Sequence, residues 1–176
     1  MKRCSMLFAL ALLSAVITAP AQAQDPAGGL GGHQGNLFAE FSAANLGQGT
    51  GFISGASAGG YLQGPLLGLV MRATAAPGGD TFHVYSAVLG PRIAFDLPVL
   101  RPFIEAGGGI GHSSYYNSGG NFARGWGPAW QIDAGVEHSL LPRVQWRVLE
   151  VAWGHIDVGP GVAPTVISSG LTLHLW

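Results

Sequence analysis

The closing segment Ile167-Ser168-Ser169-Gly170-Leu171-Thr172-Leu173-His174-Leu175-Trp176 alternates large apolar residues with small or polar ones and stops on an aromatic. A period of two is the signature of a β-strand with two unlike faces. One oily and one polar face suit the wall of a barrel closed in lipid, where every backbone group must find its partner within the protein. The rest of the chain is therefore read against a barrel.

Charged residues make up 10% of the chain, against roughly 25% in ordinary soluble domains, and the mean hydropathy is +0.32. Such a surface needs a cover other than water. No stretch beyond the N-terminus fits a transmembrane helix: the densest apolar run, Leu66 to Met71, is halted by Arg72, and 29 glycines and 11 prolines are spread along the chain. An outer-membrane β-barrel satisfies both facts, with a secreted β-sandwich as the competing architecture.

The N-terminus carries an address. Met1-Lys2-Arg3 supplies positive charge, Met6 to Ile17 an apolar run, and Ala21-Gln22-Ala23 a small-x-small cleavage site. Residues 1–23 read as a secretory signal, too short in its apolar part to cross roughly 30 Å of hydrocarbon as a helix. The single cysteine, Cys4, precedes that run, so no disulfide framework is expected in the mature chain. Without Lys2 and Arg3, six arginines face nine acids, which gives no electrostatic basis for binding nucleic acid.

After a Gly-rich lead over 24–36, turn signals divide residues 37–176 into eight stretches of the length a tilted membrane strand needs. The expected strands are 37–46, 52–62, 66–75, 82–95, 102–113, 126–138, 144–156 and 166–176. Short connections at 63–65, 96–101 and 139–143 alternate with the connections 76–81, 114–125 and 157–165. An up-and-down barrel requires that alternation, with tight turns on the periplasmic side and longer loops outside.

Parity assigns the faces. In 126–138, Trp126, Pro128, Trp130, Ile132, Ala134 and Val136 share one face, and Gln131, Asp133 and Glu137 share the other. The same count sets Arg72 against Leu69 and Met71, Arg92 against Leu89 and Ile93, Glu105 against Ile104, Glu150 against Leu149, and Glu40 against Phe41. An arginine on the lipid face at the bilayer midplane costs about 2 to 4 kcal/mol, so the charged face must point inward. The interior of an eight-stranded barrel is only wide enough for its side chains to fill. The expectation is a lumen network in which Arg72 and Arg92 are shared among Glu40, Glu105, Asp133 and Glu150. Arg147 breaks parity and is expected to extend its guanidinium to the headgroups near Pro142. Phe95, Trp146 and Trp176 near one boundary, with Tyr85, Trp126 and Trp153 near the other, are expected to form two aromatic belts.

Apparent catalytic motifs lack their context. Gly55-Ala56-Ser57-Ala58-Gly59 fits G-x-S-x-G, but no helix follows to make the nucleophile elbow. Gly107-Gly108-Gly109-Ile110-Gly111 has no βαβ unit around it and is expected to let strands pack closely. Six histidines show no metal-ligand spacing, and no cofactor is expected. His112 is expected at a hydrated rim, beside a loop over 114–125 whose Tyr, Asn and Phe content suits an extracellular contact.

Ser168 to Leu175 fits the closing-strand pattern polar-x-Gly-x-x-apolar-x-apolar. With the segment Gly90-Pro91-Arg92 to Leu175, it resembles the small eight-stranded outer-membrane barrels, similar to the membrane domain of outer-membrane protein A and the opacity and porin-like families. Trp176 departs from the Phe on which that family usually ends. The resemblance implies an outer-membrane location and a closing strand read by the barrel-assembly machinery. It also implies contact with outer-membrane lipid and lipopolysaccharide. The function expected is that of a monomer with a packed, salt-bridged lumen and a structural or surface-contact role, without catalysis. Two other classes stand beside it: a narrow porin-like channel for small solutes, and a lipid A-modifying enzyme. For the enzyme, His155 lies in the right neighbourhood but lacks an adjacent serine.

Overall fold

The structure, a computed structural model, describes residues 34–45, 51–78, 82–116, 122–159 and 161–176. Eight strands follow one another: β1 (Gln34–Asn45), β2 (Phe52–Gln63), β3 (Leu67–Pro77), β4 (His83–Ala94), β5 (Leu100–Tyr116), β6 (Phe122–Leu141), β7 (Val144–Ile156) and β8 (Thr165–His174). Each pairs antiparallel with its chain neighbour, and β1 pairs with β8 from Asn36↔His174 to Asn45↔Thr165, closing an up-and-down barrel. Closure leaves no edge strand with unpaired backbone groups among the described residues. The expected signal segment 1–23 and residues 24–33 of the expected lead lie outside the described residues. Gln34 to Asn36, placed in that lead by the sequence, begin β1 instead, because they pair with Gln63 to Tyr61.

Both described ends of the chain lie at one end of the barrel, together with its tight turns. Leu141 pairs with Val144 across Pro142-Arg143, and the β2–β3 turn closes with Gly64 N–H donating to Leu67 O at 2.9 Å. At the opposite end β5 and β6 run far longer than expected. The stretch 114–125 is not all loop: pairing continues through Ser114↔Arg124 to Tyr116↔Phe122, leaving 117–121 outside the described residues. Serine, asparagine and glycine signalled a loop there, but cross-strand pairing with β6 overrides the local signal.

Alternation turns the barrel inside out relative to a soluble one. Along β6, Trp126, Trp130 and Ile132 are 68%, 50% and 44% exposed, whereas Asp133 and Glu137 are 2% and 0%. All six residues assigned to belts, Tyr85, Phe95, Trp126, Trp146, Trp153 and Trp176, stand on the outer wall. The C-terminal indole also closes the seam: Leu175 N–H donates to Gly35 O at 2.8 Å, and Trp176 lies over Gly35, where a Cβ would overlap its ring. Gly35→Val should therefore displace Trp176 and cost about 1 to 3 kcal/mol by overpacking. Urea unfolding in lipid vesicles would measure the cost, and a shift in the indole emission would report the displacement.

Inside, layers stack along the axis. Near the turn end lie the buried polar groups Asn36, Gln63, Arg101, Gln145 and Thr172. The charged residues described below fill the middle. Toward the opposite end sit Ala44, Ala76, Ala152 and Val166, then Val84, Ala129, Ile156, Val158 and Val162. The last two come from the β7–β8 connection, which folds back so that Ile156 N–H donates to Val162 O at 2.8 Å and Asp157 N–H to Pro128 O at 2.9 Å. Gly159 and Gly161 take φ of +60° and +81° to make this reversal, a backbone region disfavoured for residues with a Cβ.

Candidate functional site

The centre of the lumen holds three guanidinium groups and four carboxylates. Arg72 Nη1 and Nη2 grip Glu150 Oε1 and Oε2 at 2.5 and 2.8 Å, and the same nitrogens reach Glu40 Oε2 at 2.8 Å and Glu105 Oε2 at 2.9 Å. Arg92 donates to Glu105 through Nη1, to Glu137 Oε2 through Nη2 at 2.8 Å, and to Gln63 Oε1 through Nε at 3.1 Å. Arg147 donates through Nε to Glu137 Oε1 at 3.1 Å, through Nη1 to Glu40 Oε1 at 3.1 Å, and through Nη2 to Glu105 Oε1 at 2.7 Å. Its Nη1 is also 3.3 Å from Glu150 Oε2. Every one of these seven side chains is at most 2% exposed.

Two expectations are corrected here. Arg147 does not reach for headgroups; it is fully buried at the hub of the network. The cause is a β-bulge. Val136 pairs with Leu149 and Glu137 with Arg147, so Val148 is an extra residue on β7, and the ladder to β8 skips from Arg147 to Glu150 at the same place. One inserted residue reverses parity, which lets Arg147 and Glu150, three apart, both face the lumen. Ser169 fills the gap, donating from Oγ to Arg147 O at 3.0 Å and accepting from Trp146 Nε1 at 3.1 Å.

Asp133 is the second correction. It lies on the inner face in the field of Arg72, but its direct partner is Gln131, whose Nε2 donates to Oδ1 at 2.5 Å, and Glu137, outside the expected group, pairs directly with Arg92 and Arg147. Glu137 had the inward parity from the start. Of the expected group, Arg72, Arg92, Glu40, Glu105 and Glu150 are brought together directly.

Aromatic faces wrap the cations. Arg92 Cζ lies 4.1 Å from the ring centres of both Tyr61 and Phe103, and Arg147 Cζ lies 4.3 Å from Phe38 and 4.4 Å from Phe103. Guanidinium groups are weakly hydrated and stack well on rings, which suits them to a dry interior. Glycines make the room. A Cβ at Gly59 would strike the Phe38 ring, one at Gly135 the Phe103 ring, and one at Gly170 the backbone and Cγ of Glu40. Gly170 pairs with Glu40 on one side and Arg147 on the other, so Gly170→Val should push Glu40 off both arginines. The expected loss is about 1 to 3 kcal/mol, visible as a lower urea midpoint. A variant as stable as the parent would show that the inner space at Gly170 is not needed.

The remaining chemical motifs find ordinary places. Ser57 lies mid-strand on the inner face, 3.1 Å from Thr74 Oγ1, not on a strand-to-helix elbow. His155 stacks on Trp130 at 6.4 Å. Rather than standing at a hydrated rim, His112 is 9% exposed and packs against Trp126 at 5.1 Å. No group of three or more His, Cys, Asp or Glu side chains placed to hold a metal ion occurs among the described residues.

No protein-family model and no curated protein matches the chain. Solved structures do match in fold. Neisserial surface protein A superposes with a TM-score of 0.56 at 17% identity, covering 80% of this chain and 96% of that one. The N-terminal β-barrel domain of Pseudomonas aeruginosa OprF gives 0.53 at 17% identity, covering 81% and 100%. The fold is that of the small eight-stranded outer-membrane barrels.

Proposed function

We propose that this protein is a monomeric outer-membrane barrel, sealed along its axis, that serves as a structural or surface-contact element through the loops opposite its tight turns. The observation that carries the reading is the inversion of polarity. Large apolar side chains such as Leu69, Leu89, Ile110 and Leu171 cover the outside at 49% to 58% exposure, while three arginines and four glutamates occupy the axis. In water, so large an apolar wall would drive association. In a bilayer it is the lipid face, and the inner charges are satisfied by one another. Lipid and lipopolysaccharide then surround the wall, and the closing strand β8 is the segment offered to the barrel-assembly machinery.

Two seals favour a closed lumen over a channel. The charge network occupies the middle, and Val158 and Val162, folded in from the β7–β8 connection, cap an apolar layer above it. The extended β5–β6 hairpin carries the contact surface that the sequence places at 114–125. The reading assigns no catalytic step and no cofactor. Planar-bilayer recording of the pure protein tests it: no steady unitary conductance is expected, and reproducible steps that change with Arg92→Ala would establish a solute path instead. An unchanged lipid A acyl pattern in expressing cells is the corresponding expectation for the enzyme class, and a shortened or lengthened pattern would overturn it.

A further inference from the structure

The outer wall of β4, β5 and β6 is graded near the end away from the tight turns. The register aligns residues of the three strands in rows of outward parity, with His112 and Ser114 buried among their neighbours. One row is Ala87, Ile110 and Pro128, purely apolar. The next is Tyr85, His112 and Trp126, and the one beyond it is His83, Ser114 and Arg124. Successive rows lie two residues apart, about 7 Å along the strands. Over about 14 Å the wall therefore passes from hydrocarbon-like, through amphipathic rings, to the exposed permanent cation of Arg124 beside the half-buried imidazole of His83.

The middle row is built. His112 is packed between rings, with its centroid 6.1 Å from His83 in a parallel stack at 6°, 6.1 Å from Tyr85, and 5.1 Å from Trp126 at 60°. Only 9% exposed, it leaves Nδ1 buried and without a hydrogen-bond partner. Arg124 is exposed and, among the described residues, is the one arginine at this end of the barrel: Arg72, Arg92 and Arg147 are in the lumen, and Arg101 and Arg143 are by the tight turns.

We infer that this block of three rows binds one phosphorylated lipid of the surrounding leaflet, its acyl chain lying along Ile110 and Pro128 and its phosphate meeting Arg124 and His83. The order of the rows matches the order of groups in such a molecule. Trp and Tyr suit the level where chain gives way to headgroup, and a guanidinium offers a planar fork to phosphate oxygens. The inference rests on the outer-membrane reading, since the block faces lipid only if the wall does.

The test uses the full mature chain refolded in uncharged detergent micelles and titrated with diphosphoryl lipid A, read by indole fluorescence. Trp126→Phe, which keeps an aromatic in place, identifies the part of the signal that comes from the block. A saturable response is expected, weakened roughly tenfold or more by Arg124→Gln, in line with the loss of a charge-assisted hydrogen bond. Inorganic phosphate at the same concentration should give no response, nor should an uncharged lipid with matching chains. Equal affinity in Arg124→Gln, or an equal response to the uncharged lipid, would overturn the site. A full response to inorganic phosphate would overturn the lipid as its occupant. Heat-modifiable mobility of the same preparation keeps the two readings apart: a folded, heat-modifiable barrel that fails to bind defeats this inference alone.

Discussion

Arg147→Met is expected to destabilise the folded barrel by about 3 to 5 kcal/mol, the range for removing one partner from a buried ionic group. Arg147 touches all four glutamates of the lumen, so its loss leaves four carboxylates to two guanidinium groups. Glu137 loses one of its two arginine contacts and Glu40 one of its two. Methionine retains much of the packing against Phe38 and Phe103, so the cost reports charge more than volume. Adding Glu137→Gln should recover part of it, because one fewer negative charge is then left without a partner, and the double mutant should be less impaired than the sum of the singles. Urea unfolding in lipid vesicles measures all three variants. A single mutant with the parent's midpoint would place Arg147 outside the network.

The second large effect is on the opposite face. Ile132 stands midway along β6 on the outer wall, 44% exposed and paired with Ala106 and Trp153. Ile132→Arg should cost about 2 to 4 kcal/mol in a bilayer, as a guanidinium is forced toward the hydrocarbon midplane. The penalty should shrink when the same exchange is made at Trp126, closer to the barrel end, where the long side chain reaches headgroups. Were the wall facing water, both exchanges would be nearly neutral, as surface substitutions usually are. The gradient with depth, more than either value, identifies the solvent as lipid.

The fold was legible because lipid outside and a narrow lumen inside impose a strict period of two. Along β6, residues Trp126 to Val136 keep that period without a break, and their inner and outer faces follow directly from the sequence. The rule fails where the chain itself breaks period. Trp146 and Leu149 are three apart and both outward, and Arg147 and Glu150 are three apart and both inward; no straight strand allows either pair. Two apolar residues and two opposite charges at that spacing are the available sign of a bulge, one that a headgroup-anchoring role for Arg147 does not account for. Once Arg147 is turned inward, Glu137 gains its partner.

What the sequence did not show is set by contacts far apart in the chain. The fold-back of the β7–β8 connection depends on Val158 and Val162 meeting Val84 and Ala129. The direct partner of Asp133 is Gln131, while Glu137 bonds to Arg92 and Arg147. The glycines of β2, β6 and β8 look like weak strand formers in sequence. Their use, as hollows for Phe38, Phe103 and Glu40, is visible only across strands.

The most direct measurement of the central claim is a single-cysteine scan of β6 from residue 128 to 136 in lipid vesicles. Each site carries a spin label, and its collision rates with lipid-soluble oxygen and with a water-soluble relaxant are compared. Labels at Trp130, Ile132 and Ala134 should collide chiefly with oxygen. Labels at Gln131, Asp133 and Gly135 should be shielded from it, giving a period of two in phase with the apolar residues. A flat profile, or one with the charged positions facing the lipid, would contradict a barrel that is apolar outside and ionic within.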